Sequence, residues 1–532
     1  MCYVRKYAIT MLLKGLKNIL DIKELPSDAR TLLKTPRSIE IIELASGIYS
    51  HYGLEKALHN QLESIDLNEI DGNKIFVQFS IDGLPLSKSS DTQLWPILGK
   101  IVGVENSNVF VVSAWYGSGK PSSANGYLEP FIHEYLDLNS NFVHRNITYL
   151  VYFHSLVADT VARNFVCCFP AHNSRCGRCI ETGETINHRR VFLEMDSTLR
   201  NDINYRFNLP VQYQNVISPL EGVEGISITK QVPLDPMHLF SGVMLKLGLI
   251  YYNQYGQGID ASVRQGQLNR TYVQFNEWIP DEFVRGTRTL DQIDKFKCTE
   301  LRLLLMYMGP VIFVNYITNE QMQNFNALNC AVRILSDSSE CIKNNSCAKN
   351  LMIYFVQTMI ELYGKDSVIY NVHNTIHIWD DFLNFGALNS FSAYPYENHL
   401  RTLKRMVVKG SYALSQIMNK INERSFISSA TVDANKLGKD KFRLVVCSKI
   451  VFKNFILSCQ IPNNCCLMED KSIVVIEKIY HHNSEPVVLG RKYLDSHSLD
   501  NYPIDSRLIG INKSNRLSDL QEWTVNEIKK NI

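Results

Sequence analysis

The sequence predicts a mixed α/β protein of two or three domains, on three observations. The chain has 532 residues, more than a single hydrophobic core usually accommodates. Strand-like runs begin at Lys74, whereas residues from about 190 to 370 have a mostly helical pattern. Beyond Ser425 the chain becomes strand-rich again. We therefore expect an α/β core with a large all-helical insertion and a small β-rich C-terminal domain.

Composition narrows the class of protein. Hydrophobic residues make up 45% of the chain and aromatic residues 10%, which indicates a globular protein. The net charge is only +2, with 55 basic and 53 acidic residues, so any nucleic-acid binding must depend on local basic patches. The 13 cysteines are odd in number and irregularly spaced, which favours a reducing, intracellular compartment over a disulfide scaffold.

Membrane insertion and secretion are not expected from the sequence. We find no apolar stretch that reaches the ~18 uncharged residues needed to span a bilayer. The N-terminal residues Met1–Leu20 contain Lys14 and Lys17 and lack the small-residue cleavage site of a secretory signal.

The first 190 residues divide into a helical part and a strand-rich part. Residues 1–70 look helical and polar, over Asp21–Leu33 and Ser38–Ser64. Residues 71–189 then contain, in order, three strands, a helix and a fourth strand: Lys74–Ser80, Ile97–Val104, Asn108–Trp115, Gly126–Leu138 and Thr148–Leu156. An acid follows the first strand and another follows the fourth. This is the element order of the first part of an RNase H-like core.

The remaining chain supplies the insertion, the end of the core and the C-terminal domain. Residues 190–370 contain four helical patterns: Asp235–Tyr251, Leu290–Gly309, Asn319–Ser336 and Asn350–Tyr363. Residues 371–424 return to the core with a helix over Glu397–Val408, after Pro395. Residues 425–532 contain the strand patterns Phe442–Phe452, Phe455–Cys459, Ser472–Ile479 and Pro486–Leu489.

Three acids are candidates for a catalytic metal site. Asp82 and Asp159 follow strands, and Glu397 lies on the first turn of a helix. Acids far apart in sequence can converge in this way on the two divalent ions that phosphoryl-transfer chemistry requires, and Mg²⁺ prefers such carboxylate oxygens. Taken singly, each acid has an ordinary alternative. Asp82 suits an Asp-Gly turn, Asp159 a helix N-cap, and Glu397 an ion pair with Arg401.

Other acids compete for the third position. Asp380 and Asp381 lie close to a pair of histidines, so we assign them to the surroundings of that pair or to the helix surface. Asp235 precedes Pro236 at a helix start, where an acid usually acts as a cap.

A Cys pair and a His pair have the spacing of zinc ligands. Cys176 and Cys179 form a Cys-x-x-Cys motif, and His373 and His377 are four residues apart, on one helix face. A thiol pair can also be a redox motif, and a His pair can simply pack. Together the four residues complete a tetrahedral structural zinc site. Such a site would fasten the helical insertion to the core at its entrance and exit.

Two groups of basic residues are relevant to phosphate binding. Arg401, Lys404 and Arg405 form a basic strip on the helix that begins at Glu397 and could contact DNA phosphates. Gly117-Ser-Gly-Lys120 resembles part of a phosphate-binding loop, but Pro121 follows the lysine where the ATP-binding motif requires Ser or Thr. We therefore do not expect an ATP site.

Several ordered motifs within residues 70–410 resemble the transposases of CACTA (En/Spm-like) DNA elements in their animal form. The matching segments are Ile81-Asp-Gly-Leu-Pro-Leu-Ser-Lys-Ser-Ser90, Gly117–Glu134, Leu234-Asp-Pro-Met-His-Leu239, Tyr370-Asn-Val-His373 and Phe391-Ser-Ala-Tyr-Pro-Tyr-Glu-Asn398. These transposases are similar in architecture to the catalytic subunit of the V(D)J recombinase. The resemblance implies an RNase H-like fold in which Asp82, Asp159 and Glu397 bind Mg²⁺ or Mn²⁺. It also implies that Cys176, Cys179, His373 and His377 bind Zn²⁺.

The expected function is therefore that of a transposase-derived nuclease and strand-transfer enzyme, nuclear, with DNA and further copies of itself as partners. Two departures favour an alternative, a domesticated or relic transposase that binds DNA or protein without catalysis. Ala158-Asp-Thr-Val-Ala-Arg163 keeps only the Asp, Ala and Arg of the related pattern, and residues 1–70 lack the expected DNA-binding zinc module. A small-molecule metalloenzyme is a third reading, supported only by the Cys/His set.

Overall fold

The structure is a computed structural model of the chain. It describes residues 6–531 except 23, 45, 88–89, 172–173, 256–259, 338–340, 409, 432–441, 447–448, 453–454 and 483–484. Two residues of the Ile81–Ser90 motif and residues 432–441 of the expected C-terminal domain therefore lie outside the described residues.

The protein is mixed α/β. The α-helices, numbered in chain order, are α1 (Lys6–Leu20), α2 (Ala29–Leu32), α3 (Leu54–Leu62), α4 (Ala124–Leu138), α5 (Thr160–Val166), α6 (Val211–Gln214), α7 (Ile228–Gln231), α8 (Pro236–Tyr255), α9 (Ala261–Gln274), α10 (Cys298–Leu303), α11 (Gly309–Ile312), α12 (Asn319–Ser336), α13 (Cys341–Tyr363), α14 (Tyr370–Asn374), α15 (Ile378–Phe385), α16 (Tyr394–Met406) and α17 (Ala413–Thr431).

The strands fall in the first 191 residues and in the C-terminal part of the chain. They are β1 (Ile42–Leu44), β2 (Gly47–His51), β3 (Lys74–Ile81), β4 (Leu84–Pro85), β5 (Thr92–Ile101), β6 (Phe110–Ser118), β7 (Phe142–His144), β8 (Ile147–Ala158), β9 (Glu184–Ile186), β10 (Arg189–Val191), β11 (Phe442–Val446), β12 (Lys449–Phe452), β13 (Ile456–Ser458), β14 (Cys465–Met468), β15 (Ile473–His482), β16 (Glu485–Lys492), β17 (His497–Ser498), β18 (Asn512–Lys513), β19 (Gln521–Thr524) and β20 (Ile528–Asn531).

The first of two compact units comprises Met1–Thr182, Ser197–Asp235 and Phe391–Leu437. Its sheet has the strand order β1-β2-β6-β5-β3-β8-β7, and β4 pairs with β5. β3 is antiparallel to β5 and parallel to β8, and β5 is antiparallel to β6. Consequently β3, β6 and β8 run in the same direction and point their carboxyl ends toward the same edge of the sheet. The predicted core strands and the helix at 126–138 are confirmed as β3, β5, β6, β8 and α4.

Side chains of β3 alternate between two helix-covered faces, as expected for a strand. On one face Phe79 meets Phe131 of α4, with ring centroids 4.8 Å apart. On the other face Gln78 meets Tyr396 of α16. The sheet therefore has a helix on each side, and its strand ends remain available at the edge.

The N-terminal segment differs from its predicted helical structure. Ser38–Ser64 is helical only in its last part, as α3, whereas β1 and β2 extend the sheet beyond β6. The register pairs Tyr49 of β2 with Trp115 of β6, and both side chains are fully buried. Local composition did not reveal this pairing because the partner strand lies more than 60 residues away (115 − 49 = 66).

The second unit comprises Gly183–Asp196, Pro236–Ser390 and Gly438–Ile532. Its central part is helical, as predicted, and α12 and α13 are joined by a hydrogen bond of 2.9 Å from the Asn324 amide to the Phe355 carbonyl. The predicted helix Leu290–Gly309 is broken, because Phe296 and Lys297 have extended backbone angles. The C-terminal part is β-rich, with sheets of order β11-β12-β13 and β19-β16-β15-β14-β20.

One stretch of the second unit, Cys298–Asn315, is long and apolar enough to cross a membrane when judged by length and composition. Of its residues, 61% are buried inside the structure. Core helices of folded domains meet the same two criteria.

Candidate metal centres

Asp82 and Asp159 directly follow two neighbouring parallel strands. In the register of β3 and β8, Ile81 pairs with Ala158, so the two aspartates are the next residues on adjacent strands. Neighbouring strands lie roughly 4.8 Å apart. The backbone therefore places Asp82 and Asp159 at the same edge of the sheet.

The alternation of side chains assigns the two aspartates to one face as well. Gln78 pairs with Ser155 in the register, and the Gln78 amide donates a hydrogen bond of 2.9 Å to the Ser155 hydroxyl. Every second residue of a strand lies on the same face. Asp82 is four residues after Gln78, and Asp159 is four residues after Ser155. If the alternation continues for one residue past each strand, both acids share the face on which Gln78 meets Tyr396.

Helix α16, which carries Glu397, is attached to this same face. The Tyr396 hydroxyl lies 3.0 Å from Oε1 and 3.2 Å from the carbonyl oxygen of Gln78. Further along the helix, the Lys404 ammonium donates to the carbonyl of Pro85. Residues before and after Asp82 are therefore both in contact with α16.

The start of α16 is fixed by Asp235, which the sequence had suggested as a cap of a different helix, the one that begins at Pro236. The buried Asp235 accepts a hydrogen bond of 2.8 Å from the Ala393 amide. The Ala393 carbonyl in turn accepts from the Glu397 amide at 2.9 Å. Asp235 thus acts as a support for the turn that presents the half-buried Glu397.

The two aspartate side chains make hydrogen bonds to nearby backbone. Asp82 Oδ1 accepts from the Gly83 amide at 2.7 Å, and Asp159 Oδ1 caps α5 by accepting from the Ala162 amide at 2.7 Å. Within the described parts of the chain, the three acids do not form a group of ligand atoms close enough to share an ion. Their convergence on metal thus stays a prediction, supported by strand register and by the attachment of α16.

The predicted basic strip is exposed on α16. Arg401, Lys404 and Arg405 follow Glu397 at intervals of four, seven and eight residues, so all four lie on one side of the helix. Phosphate groups held there would lie next to Glu397.

The four predicted zinc ligands, Cys176, Cys179, His373 and His377, form one group of candidate ligand atoms. All four are buried, and one potential ligand atom of each lies within 4.8 Å of all the others. The two His Nε2 atoms are 3.2 Å apart, close to the roughly 3.3 Å that tetrahedral geometry gives for Zn–N bonds of ~2.0–2.1 Å. Two sulfur and two nitrogen donors in a buried setting suit zinc. Asp381, fully buried on α15, follows the His pair closely in the chain.

The Cys-x-x-Cys turn is held by two buried arginines. Arg163 Nη2 donates to the Gly177 carbonyl at 3.3 Å, and Arg200 Nε donates to the Cys176 carbonyl at 3.2 Å. A side chain at Gly177 would lie 3.1 Å from Arg163 Nη1, so glycine allows this close approach. The arginines fix the turn from which both thiols project.

The environment of Cys176 favours its thiolate. Burial acts to raise the pKa of the thiol, but the Cys179 side chain, the amides of Arg178 and Cys179 and the charge of Arg163 together lower it below the ordinary value. Thiolate is the form that binds zinc.

Gln78, Ser155 and Tyr396 were not identified as site residues from the sequence. One signal for Gln78 was present in the sequence, because an amide interrupts the mostly apolar run Ile75–Ile81. A buried amide needs partners, which are the Ser155 hydroxyl and the Tyr396 hydroxyl. The identity of those partners depends on strand register and helix docking, which the sequence alone does not specify.

Comparison with known proteins characterises only the end of the chain. Residues 432–532 match the model of a domain of unknown function, DUF8592. No curated protein matches the sequence.

Proposed function

We propose that the protein is a DNA nuclease and strand-transfer enzyme that uses two divalent metals held by Asp82, Asp159 and Glu397. The observation that carries the proposal is the parallel register of β3 and β8, which ends at the pair Ile81–Ala158, directly before Asp82 and Asp159. The helix of Glu397 is hydrogen-bonded to β3 through Tyr396 and Gln78.

The topology supports an RNase H-like assignment of the core. β3, β5 and β6 are consecutive antiparallel strands, α4 follows them, and β8 then pairs in parallel with β3. The resulting order β6-β5-β3-β8 has an acid at the end of the first and last strands in sequence. This arrangement, together with the motifs shared with CACTA-type transposases, supports DNA as the substrate.

The donor set at the strand edge fits hard divalent cations. Mg²⁺ and Mn²⁺ prefer carboxylate oxygens, which Asp82, Asp159 and Glu397 supply. When bound, a pair of such ions activates the attacking water or 3′-hydroxyl and stabilises the leaving oxygen. The chain's own contribution is to hold the DNA phosphates with Arg401, Lys404 and Arg405 and to keep α16 in place through Tyr396.

The second metal in the proposal is a structural Zn²⁺ held by Cys176, Cys179, His373 and His377. Their clustering and burial support it, and four protein ligands leave no position for substrate. We therefore propose that this ion contributes to folding and takes no part in the reaction.

The test is cleavage of DNA with Mg²⁺ or Mn²⁺ by the full chain, with Asp82→Asn as the critical variant. We expect Asp82→Asn to abolish cleavage while the fold persists, because Asn retains the shape of Asp but lacks the charge that a hard cation requires. Asp137→Asn, on the exposed side of α4, is the matched control and should cleave like the unmodified protein. Equal cleavage by the Asp82→Asn protein would mean that a contaminant is responsible and would refute the assignment.

A second candidate is a non-catalytic DNA- or protein-binding relic of such an enzyme. The observation in its favour is that both aspartates accept hydrogen bonds from backbone amides and that the acids form no shared ligand group in the described residues. DNA binding without cleavage under any of these metal conditions would select this candidate.

A further inference from the structure

The loop containing Lys120 is placed by the topology at the same edge as the three acids. β6 runs parallel to β3 and β8, and its last residue, Ser118, pairs with Thr92 at the start of β5. Lys120 is the second residue after that strand end. The phosphate-loop-like motif, which did not fit an ATP site, thus lies where the acidic strand ends are.

Three features fix the position of Lys120. The Gly119 amide donates to the Asp91 carbonyl at 2.9 Å, and Gly119 has a φ of +67°, which glycine adopts readily. Pro121 follows and restricts the backbone of Lys120 to an extended conformation. The exposed Lys120 side chain then places its ammonium 5.4 Å from the ring centroid of Phe165, at a favourable distance for a cation–π contact.

Phe165 connects Lys120 to both aspartates through contacts within the first unit. Phe165 lies on α5, the helix that Asp159 caps. Its ring packs edge-on against Trp95, with centroids 5.6 Å apart. Trp95 lies under Gly83, since a Cβ at Gly83 would be 3.0 Å from the indole, and Gly83 directly follows Asp82.

Tyr127 supports the same neighbourhood. Its ring lies 6.0 Å from that of Phe165. Burial, with smaller contributions from Tyr49 and from the charge of Asp82, raises the pKa of Tyr127 well above the ordinary value. The Tyr127 hydroxyl donates a hydrogen bond of 3.2 Å to the Trp95 carbonyl, so Tyr127 belongs to the same group of packed aromatic residues as Phe165 and Trp95.

We propose that Lys120 binds a DNA phosphate next to the bond that is cut. Lys120 would approach this phosphate from the end of β6, at the sheet edge where the strands leading to Asp82 and Asp159 also end. This inference deepens the proposed function and rests on it for the position of the cut bond. An ammonium held over a ring keeps its charge and its hydrogen-bond donors, so it can donate to a phosphate oxygen. Trp95 is only 3% exposed and cannot stack on a nucleobase, which makes the phosphate, not the base, the recognised group.

The first experiment measures the salt dependence of duplex binding by the full chain, with Ca²⁺ in place of Mg²⁺ and a short duplex of arbitrary sequence. Removing one phosphate contact makes the slope of log K against log salt shallower by about one. We expect that change for Lys120→Met and a retained slope for Lys120→Arg. Lys74→Met is the matched control, because Lys74 is exposed at the opposite end of β3. An unchanged slope for Lys120→Met would overturn the proposal.

The second experiment places the contact at the reaction. In the cleavage assay Lys120→Met should lower kcat/KM by about tenfold, the lower end of the loss expected for a hydrogen bond to a charged group, while Lys74→Met should match the unmodified protein. If kcat/KM of Lys120→Met were unchanged, Lys120 would not contact the phosphate next to the cut bond, even if the salt dependence of DNA binding had changed. If the unmodified protein binds DNA but cuts none, the proposed function is wrong. Lys120 then cannot be assigned a position beside a cut bond. The binding slope then still decides whether Lys120 contacts phosphate.

Discussion

Gln78 links the three elements that carry Asp82, Asp159 and Glu397. Its amide nitrogen donates to Ser155 on β8, and its amide oxygen lies within hydrogen-bond distance of the Tyr396 hydroxyl on α16. One buried side chain thus joins the strands of Asp82 and Asp159 to the helix of Glu397. Because an unpaired buried polar group is costly, these hydrogen bonds favour one fixed arrangement of β3, β8 and α16.

Tyr396→Phe tests that connection. The variant removes the hydroxyl and leaves the Gln78 oxygen without this donor, so we expect a loss of about 1–2 kcal/mol in the free energy of unfolding. Under the proposed function we also expect kcat for DNA cleavage to fall while KM changes little, because the buried Tyr396 would position Glu397 without contacting DNA. Chemical denaturation and steady-state kinetics measure the two effects. Unchanged kcat at lowered stability would restrict Tyr396 to a structural role.

Cys176→Ser tests the zinc site at the level of one ligand. We expect the variant to lose its zinc and to melt at a lower temperature, because ligand loss removes the binding free energy that contributes to folding. Cys167→Ser is a suitable control, since Cys167 is equally buried in the same unit but is not a member of the cluster. Metal analysis and thermal unfolding should separate the two proteins. Equal zinc content in both would count against the site.

Among the elements, α16 contains a residue that makes stability depend on pH. Burial, followed by the charge of Arg424, lowers the pKa of His399 to about 4. The unfolded chain takes up this proton near pH 6.5, whereas the folded chain does so only near pH 4. The stabilisation is therefore present in full above about pH 6.5 and is lost as the pH falls toward 4, by at most about 3 kcal/mol.

His399→Asn provides the measurement. Urea denaturation at pH 7, 5.5 and 4 should show the free energy of unfolding falling less steeply in the variant than in the unmodified protein. Since carboxylates titrate in both proteins, the difference between the two curves isolates His399. Parallel curves over this range would contradict the expected contribution.

The elements also show how far sequence reasoning reaches. Strands β3, β5, β6 and β8 and helices α4 and α16 were predictable because each has a local periodicity and a clear start or end. The Cys and His pairs were recognisable from spacing alone. β1 and β2 were missed because their pairing with β6 is long-range, and the Gln78–Ser155–Tyr396 contacts were missed because they depend on register. The local positions of the acids were predictable, but their side-chain orientations were not.

At the scale of the whole molecule, the net charge of +2 is too small to attract DNA over the whole surface. Any DNA binding must therefore depend on local groups of basic residues. If Arg401, Lys404, Arg405 and Lys120 supply those contacts, four phosphates are neutralised. The slope of log K against log salt should then be about −3.6, at about −0.9 per phosphate on duplex DNA. Fluorescence anisotropy with a labelled duplex between 50 and 200 mM salt measures it. A slope near zero would mean that the charged contacts proposed for α16 and the β6 loop do not form.

The packing of Trp95 beneath Gly83 has an optical consequence. An indole this well buried fluoresces at short wavelength. Trp95 packs against Gly83, the neighbour of Asp82, which is proposed to bind a divalent ion such as the paramagnetic Mn²⁺. Mn²⁺ at that edge should quench the Trp95 emission, whereas Mg²⁺, being diamagnetic, should leave its intensity nearly unchanged. Occupancy of the edge can thus be followed in solution without DNA, and Trp95→Phe identifies the part of the signal that comes from this indole.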